Sequence, residues 1–303
     1  MTILVTGGTG QLASALALVG GERVRVVGRP DFDFDRPETI AAVFHATSPS
    51  LVVNAAAWTA VDAAAEHPDA AMRANRDGPA DLARLCAAAG IPLIHVSTDY
   101  VFDGEKGAPY LETDTTQPIG VYGATKLAGE QAVLAGCKHA IVLRTSWVYS
   151  ATGKNFVKTM LRLAELKDRI GVVADQRGCP TDAHDLAVAI MGVADRLAAG
   201  WRDDYAGVFN AAGHGETTWH GLASAVFEDA AALGHKVPVV DALTTAQFPT
   251  PTKRPADSRL DCSKLERVFG VCQPPWRDSV RRTVAALLDG TASQGRARAS
   301  AMG

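Results

Sequence analysis

The chain opens with an apolar segment that runs directly into a glycine-rich turn and then into a helical pattern. Ile3–Thr6 has the composition of a buried strand, and the turn Thr6–Gly10 follows it. Gly7 permits a tight turn, Gly10 lets a pyrophosphate approach the backbone, and Ala13 allows close strand–helix packing. Amides and the dipole at a helix N-terminus favour negative charge. This order predicts a dinucleotide-binding unit, with a ligand-free glycine turn as the alternative.

Strands and helices alternate through the first half of the chain. Strands are predicted at Ile3–Thr6, Arg23–Gly28, Leu51–Asn54, Leu93–Ser97 and Ala140–Arg144. Helices are predicted at Gln11–Val19, Pro37–Ala46, Pro68–Ala89 and Tyr122–Leu134. Because several of these strands are apolar throughout, they are typical of a parallel sheet that is buried on both faces. The prediction is an α/β, Rossmann-type doubly wound parallel sheet.

The pattern loosens after about residue 147. Helices are predicted at Asn155–Lys167, Asp182–Ala199, Thr218–Leu233 and Trp276–Leu288, separated by short strands and Gly- and Pro-rich connections. We therefore expect a dinucleotide-binding domain over 1–146 and a smaller C-terminal, mainly substrate-binding lobe over 147–290. Residues 291–303 are rich in small residues, which predicts a disordered tail.

Composition and charge exclude several classes of protein. The net charge of -3 argues against a nucleic-acid partner. The apolar runs are too short to span a bilayer, and the first residues lack a signal-peptide pattern. The five cysteines include no Cys-x-x-Cys pair, which argues against a metal knuckle or a disulfide framework. We expect a cytoplasmic protein without a metal, a nucleic-acid partner or a membrane partner.

The second predicted strand ends in Val27-Gly28-Arg29, where an acidic residue would normally hold the ribose hydroxyls of NAD. An arginine suits the 2′-phosphate of NADP better. Arg29 therefore favours NADPH as the cofactor. A solvated surface arginine is the alternative, and NADH would then be accepted as well.

Tyr122 precedes Lys126 by four positions in a predicted helix, so their side chains share a face. A free tyrosine loses its proton only near pH ~10, and a neighbouring cation lowers that pKa. Such a tyrosine serves as an acid–base group on a carbonyl or an alcohol. Thr98 ends the fourth predicted strand at the same sheet edge. Three roles follow: Thr98 orients a carbonyl, Tyr122 donates a proton, and Lys126 lowers the tyrosine pKa and binds the nicotinamide ribose.

Together these motifs resemble the extended short-chain dehydrogenase/reductase family, in its nucleotide-sugar branch. The resemblance covers the chain to about residue 288. Further segments that carry it are Asn54–Asp62, His95–Gly104, Val121–Glu130, Arg144–Tyr149, Asn155–Arg162, Asp175–Thr181 and Arg254–Leu260.

The resemblance implies a set of binding residues. Those around the cofactor would be Gly7, Gly10, Gln11 and Leu12 at the pyrophosphate, Asp33 and Phe34 at the adenine, and Ala56, Ala57 and Thr59 further along. Those around the sugar nucleotide would be Thr98, Asp99, Trp147, Asn155 and Arg254. Arg254 and Arg259 are arginine forks that suit a diphosphate, or alternatively internal ion-pair partners.

Within this family, the resemblance implies an enzyme that reduces the C4 ketone of dTDP-4-dehydro-β-L-rhamnose to dTDP-L-rhamnose with NAD(P)H. Dehydratases of this family follow the threonine with Asp-Glu, whereas this chain has Asp99-Tyr100, which favours net reduction. Another nucleotide-sugar reductase or epimerase is an alternative. A non-catalytic NADP-binding regulatory subunit, resembling that of methionine adenosyltransferase, is a second. Some relatives dimerise through magnesium, but the first helix here lacks a carboxylate, so a monomer or another homodimer is expected.

Overall fold

The protein, seen in a computed structural model that describes residues 1–289, is built on a six-stranded parallel sheet. Its strands run in the order β10-β5-β4-β3-β1-β2. The strands of the described residues are β1 Ile3–Thr6, β2 Val24–Val27, β3 Leu51–Asn54, β4 Leu93–Thr98, β5 Ala140–Thr145, β6 Val148–Tyr149, β7 Arg169–Val173, β8 Arg177–Gly178, β9 Thr181–Asp182, β10 Gly207–Asn210, β11 Thr217–Thr218 and β12 Val239–Leu243. The strand order reverses between β1 and β3, which creates the crevice where such sheets bind ligands.

Eleven α-helices lie within residues 1–289, and several of them cover the two faces of this sheet. They are α1 Gln11–Gly20, α2 Pro37–Thr47, α3 Val61–Glu66, α4 Pro68–Met72, α5 Gly78–Ala89, α6 Val121–Gly136, α7 Phe156–Leu166, α8 Ala183–Ala198, α9 Trp219–Ala232, α10 Ser263–Phe269 and α11 Trp276–Leu288. Helices α1 and α8 pack on one face through an apolar cluster that includes Leu16 and Ile190. Helices α2, α5 and α6 cover the other face through Ile40, Leu82 and Val133. The predicted doubly wound α/β fold is confirmed.

The helix predicted over 68–89 is interrupted. A π-helical turn at Arg73–Asp77 separates α4 from α5. Pro79 lacks the amide that a continuous α-helix would use to bond the carbonyl of Asn75. That carbonyl instead lies against α6, where a Cβ on Gly129 would come within 1.9 Å of it. The break therefore lets α6 approach closely, and α6 carries Tyr122 and Lys126.

The second half of the chain contributes to the main sheet as well as to a second cluster. Strand β10 pairs with β5 at the sheet edge, an element that the sequence pattern did not reveal. Helices α7, α9 and α11 pack around a separate apolar cluster that includes Val157, Val226 and Val280. A parallel pair formed by β7 and β12 lies beside them. Whether this lobe acts as a substrate-binding unit stays a prediction.

The tail predicted over 291–303 lies outside the described residues. Within residues 1–289, no helix combines the length and the apolar character that crossing a membrane requires.

Candidate active site

A cavity of about 1290 Å³ opens at the carboxyl ends of β1, β3, β4 and β5. Most of the predicted site residues line it, although they come from segments far apart in the chain. Those that do are Gly7, Gly10, Gln11, Leu12, Arg29, Phe34, Ala56, Ala57, Thr59, Thr98, Asp99, Tyr122, Lys126 and Trp147. The exceptions are Asp33, Asn155 and Arg254.

The glycine loop leaves backbone space and unpaired amides at the start of α1. Gly7 has φ +114°, and a Cβ there would lie 3.1 Å from the Ala55 carbonyl. Gly10 is the N-cap residue of α1, and no side chain caps that end. The first amides of a helix have no partner within the helix, so they remain available to an anion. The loop fits the pyrophosphate of a dinucleotide.

The segment after β3 is held in place by its own polar contacts. The Thr6 hydroxyl donates to Asn54 Oδ1 at 2.6 Å, and the Ala56 amide donates to Thr6 Oγ1 at 3.1 Å. Asn75 accepts from the Trp58 amide at 2.8 Å and donates to the Trp58 carbonyl at 3.2 Å. These bonds place Ala56, with its neighbours at 57 and 59, along the cavity wall. Their backbone is therefore fixed without any ligand.

The far end of the cavity, beyond β2, carries Arg29 and Phe34. The Arg29 guanidinium pairs with Asp33 at 3.0 Å and with Asp35 at 2.9 Å, while most of its side chain stays exposed. Asp33 is turned toward Arg29 and does not line the cavity. Burial by itself would raise the pKa of Asp33. The Asp35 amide and Arg29 outweigh it and hold that pKa below its ordinary value. The contact of Asp33 with the adenine stays a prediction.

Thr98, Tyr122 and Lys126 all line the cavity. Burial raises the pKa of Tyr122 to about 12, and the Thr98 hydroxyl opposes part of this shift. Lys126 is buried, and its ammonium donates to the Val96 carbonyl at 2.7 Å. Burial lowers the pKa of Lys126 to about 8. The pKa of Tyr122 is therefore raised, where the sequence predicted that Lys126 would lower it, because burial is the dominant cause.

Asp99 lies beside this trio and is 2% exposed. Its Oδ1 accepts from the Thr98 hydroxyl at 2.9 Å, and the Tyr100 amide donates to Thr98 Oγ1 at 3.2 Å. Burial raises the pKa of Asp99 to about 7, against the hydroxyls of Ser258 and Thr98. A carboxyl at this position keeps its proton over much of the acidic range.

The Trp147 side chain stacks on Trp219, with ring centroids 3.6 Å apart and an interplanar angle of 9°. Trp147 has φ +47°, which is rare for a side chain of this size. A Cβ on Gly178 would lie 2.4 Å from the Trp147 ring, so only glycine fits there. Trp219 also lines the cavity, and the sequence pattern did not reveal it. The two indoles form one aromatic wall.

Asn155 and Arg254 do not line the cavity, and their predicted contact with the substrate stays a prediction. Asn155 is the N-cap residue of α7: its Oδ1 accepts from the Lys158 amide at 3.0 Å, and its Nδ2 donates to Gln11 Oε1 at 2.9 Å. Arg254 forms an ion pair with Asp62, in which its Nη2 lies 2.8 Å from Oδ1 and 2.9 Å from Oδ2. The first amides of α7 need an acceptor, which Asn155 supplies, and the Asp62 carboxylate attracts the Arg254 guanidinium. Both side chains therefore find partners within the protein. Asn155 thereby joins α7 to Gln11 on the cavity wall, and Arg254 joins its own loop to Asp62 on α3.

Arg259, which suited either a diphosphate or an internal ion pair, takes the internal role. It pairs with Asp257 and with Glu216, each at 2.6 Å. These side-chain bonds hold the pKa of Arg259 above its ordinary value.

Known proteins of one family resemble this chain over nearly its whole length. Residues 1–288 match the family described as the RmlD substrate binding domain. The dTDP-4-dehydrorhamnose reductase of Sinorhizobium fredii is 47% identical over 291 residues, covering 95% of this chain and 98% of that relative.

Solved structures of two further relatives share the fold. A dTDP-4-dehydrorhamnose reductase from Clostridium acetobutylicum superposes with a TM-score of 0.86 at 36% identity, covering 95% of this chain and 100% of its own. The enzyme of that name from Bacillus anthracis, solved in complex with NADP, has a TM-score of 0.84 at 31% identity, covering 93% of this chain and 99% of its own. The chain therefore belongs to the dTDP-4-dehydrorhamnose reductase family.

Proposed function

We propose that this protein reduces the C4 ketone of dTDP-4-dehydro-β-L-rhamnose to dTDP-L-rhamnose with NADPH. The observation that carries the proposal is the meeting of Thr98, Tyr122 and Lys126 in one cavity with an uncapped glycine-loop helix. A binding module has no need for all three side chains. Membership of the reductase family supports the choice of substrate.

The cofactor site would run along the sheet edge from Arg29 to the nicotinamide end near Lys126. Gly7 and Gly10, with Gln11 and Leu12, would receive the pyrophosphate. Bound NADPH supplies a hydride to the ketone carbon. The relative from Bacillus anthracis was solved with NADP, which supports this choice of cofactor.

The protein's own part of the reaction is to orient the ketone and deliver a proton. Thr98 would hold the C4 oxygen beside Tyr122. With a pKa near 12, the Tyr122 phenol is protonated at neutral pH and is ready to donate to that oxygen. Lys126, largely protonated at neutral pH, would hold the nicotinamide ribose with the N–H groups that the Val96 carbonyl does not use.

The residue after Asp99 favours reduction over dehydration. Tyr100 lies edge-on to Tyr122, with ring centroids 5.7 Å apart, and lines the cavity. Burial raises the pKa of Tyr100, so it remains a neutral phenol where a dehydratase needs a carboxylate base. Trp147 would pack against the sugar, backed by Trp219. Asn155 and Arg254 would act by holding Gln11 and Asp62.

We place the reaction in the cytoplasm, in a monomer or a homodimer. Five free cysteines without a disulfide are consistent with a reducing compartment. The net charge gives no reason to invoke a nucleic-acid partner.

A panel of nucleotide-sugar ketones, each assayed with NADPH and NADH, tests the proposal. We expect one NADPH consumed per dTDP-4-dehydrorhamnose, with dTDP-rhamnose as the product. Tightly held cofactor without net consumption would instead indicate an epimerase or a dehydratase. Cofactor binding without turnover of any ketone would indicate a regulatory module.

Tyr122→Phe is the matched variant for the proton-donor role. It keeps the ring that contacts Tyr100 and removes only the hydroxyl, so the thermal transition should be unchanged. Turnover should fall about 10²- to 10⁴-fold. A rate close to that of the wild type would refute the role of Tyr122 as the acid.

A further inference from the structure

Thr145, the last residue of β5, carries a buried hydroxyl that no predicted role uses. The residue is 6% exposed, and its Oγ1 finds no hydrogen-bond partner among the described residues. Thr145 nevertheless lines the cavity. Leaving a buried hydroxyl unpaired is unfavourable, so a ligand group that hydrogen-bonds it would be stabilised there.

The direction of the Thr145 side chain follows from strand alternation. Ile141 and Leu143, which alternate with it along β5, both pack in the cluster beneath α1 and α8. Because side chains two apart in a strand share a face, Thr145 points to the α1 side of the sheet. Thr98 lies directly opposite Thr145 in the parallel register of β4 and β5. The two hydroxyls therefore stand side by side at one edge, on the side of the glycine loop.

The strand order decides which part of the cofactor reaches that edge. The glycine loop follows β1 at the point where the order reverses, and β2, with Arg29 after it, lies on one side of β1. Strands β3, β4 and β5 lie on the other side, so the end of the cofactor opposite the 2′-phosphate extends toward Thr98 and Thr145. That end carries the carboxamide of nicotinamide, which offers one acceptor and two donors. A hydroxyl can both donate and accept, so it matches this group.

We propose that Thr145 Oγ1 hydrogen-bonds the carboxamide of the nicotinamide ring. The bond fixes the rotation of the ring, so that its reactive carbon faces the ketone held between Thr98 and Tyr122. This inference rests on the proposed NADPH-dependent function and adds a cofactor-orienting residue to it.

Direct binding separates this role from a merely structural one. Thr145→Val removes the hydroxyl at nearly constant volume, and Thr145→Ser keeps it. Dissociation constants would be measured by fluorescence titration for NADPH and for 2′-phospho-ADP-ribose, which has the same phosphates but no nicotinamide. We expect Thr145→Val to weaken NADPH binding about tenfold and Thr145→Ser to leave it nearly unchanged. The fragment should bind equally well to all three proteins.

Each other outcome counts against the inference. Equal losses for NADPH and the fragment would show a general distortion of the site, and no loss for either would show that the hydroxyl is not used. If Thr145→Val does not fold, Thr145→Ala removes the same hydroxyl and repeats the comparison. Wild-type protein that binds neither ligand would overturn the proposed function together with this inference. NADPH binding that is unaffected by Thr145→Val would overturn the inference alone.

Discussion

The guanidinium of Arg144 on β5 forms a bidentate ion pair with the carboxylate of Glu130 on α6. Its Nη2 lies 2.6 Å from Oε2, and its Nε lies 2.9 Å from Oε1. Both side chains are almost fully buried, at 4% and 2% exposed. The Ser97 hydroxyl donates to the same carboxylate at 2.6 Å. The pair joins α6 to the ends of β4 and β5, and thereby sets the position of Tyr122 and Lys126 over the sheet.

Breaking this pair from one side should be strongly destabilising. Arg144→Met leaves a buried, uncompensated carboxylate, and we expect the free energy of unfolding to fall by about 3–5 kcal/mol. The double variant Glu130→Leu/Arg144→Met removes both charges and should recover most of that loss. Urea unfolding curves of the wild type and the two variants check this, and a double variant as unstable as Arg144→Met would contradict it.

Asp99 should make the stability of the protein fall as the pH rises. Its pKa is about 7 in the folded protein, against 3.8 for the ordinary carboxyl. Between these values the unfolded chain is ionised while the folded protein keeps the proton. The associated stability is therefore complete below pH ~4 and is lost as the pH rises through ~7. Asp99→Asn has no such titration. Between pH 4 and pH 7 its free energy of unfolding should therefore rise relative to that of the wild type by up to roughly 4 kcal/mol.

An exposed carboxyl provides the control for this measurement. The pKa of Asp168 is lowered by its hydrogen bond and charge interaction with Lys236. Its contribution is present above the ordinary pKa and is lost as the pH falls, which is the opposite sign. Denaturant unfolding from about pH 2 to about pH 8 would compare Asp168→Asn with Asp99→Asn. A parallel pH dependence for wild type and Asp99→Asn would be evidence against a raised pKa of Asp99.

The discrimination between NADPH and NADH should depend on the two carboxylates that share Arg29. Neutralising both, in Asp33→Asn/Asp35→Asn, frees the guanidinium for a 2′-phosphate. Each exposed pair is worth only about 0–1 kcal/mol, so we expect the NADPH preference in kcat/KM to rise about 3- to 10-fold. Arg29→Ala should abolish the preference. An unchanged ratio in all three proteins would show that Arg29 does not contact the cofactor.

The aromatic wall should control binding of the sugar nucleotide. Trp219→Ala removes the ring that supports Trp147, a contact worth roughly 0.5–1.5 kcal/mol. We expect KM for the sugar nucleotide to rise about 3- to 10-fold while the dissociation constant of NADPH stays the same. Trp219→Phe keeps an aromatic surface and should behave almost like wild type. Near-ultraviolet circular dichroism would report the loss of the stacked indoles, and an unchanged KM in Trp219→Ala would exclude the role.

Much of the fold was predictable because its signals are local. The strand Leu51–Asn54 and the helix Trp276–Leu288 have the predicted bounds, since apolar runs and helical spacing are properties of neighbouring residues. Strand β10 was missed because only pairing with β5 identifies four residues as an edge strand. The π-helical turn at 73–77 was missed although Pro79 gives a local signal for it, because that proline lacks the amide that would bond the Asn75 carbonyl.

The sequence by itself determined the glycine loop, the helical spacing of Tyr122 and Lys126, and the strand end that carries Thr98. These follow from backbone geometry over a few residues, which composition and spacing record directly. Tertiary structure decided the rest. Arg254 and Asn155 took protein partners because Asp62 and Gln11 lie within reach, and Tyr122 has a raised pKa because desolvation exceeds the effect of its neighbours. Burial and choice of partner depend on contacts between distant segments, and those exist only once the chain has folded.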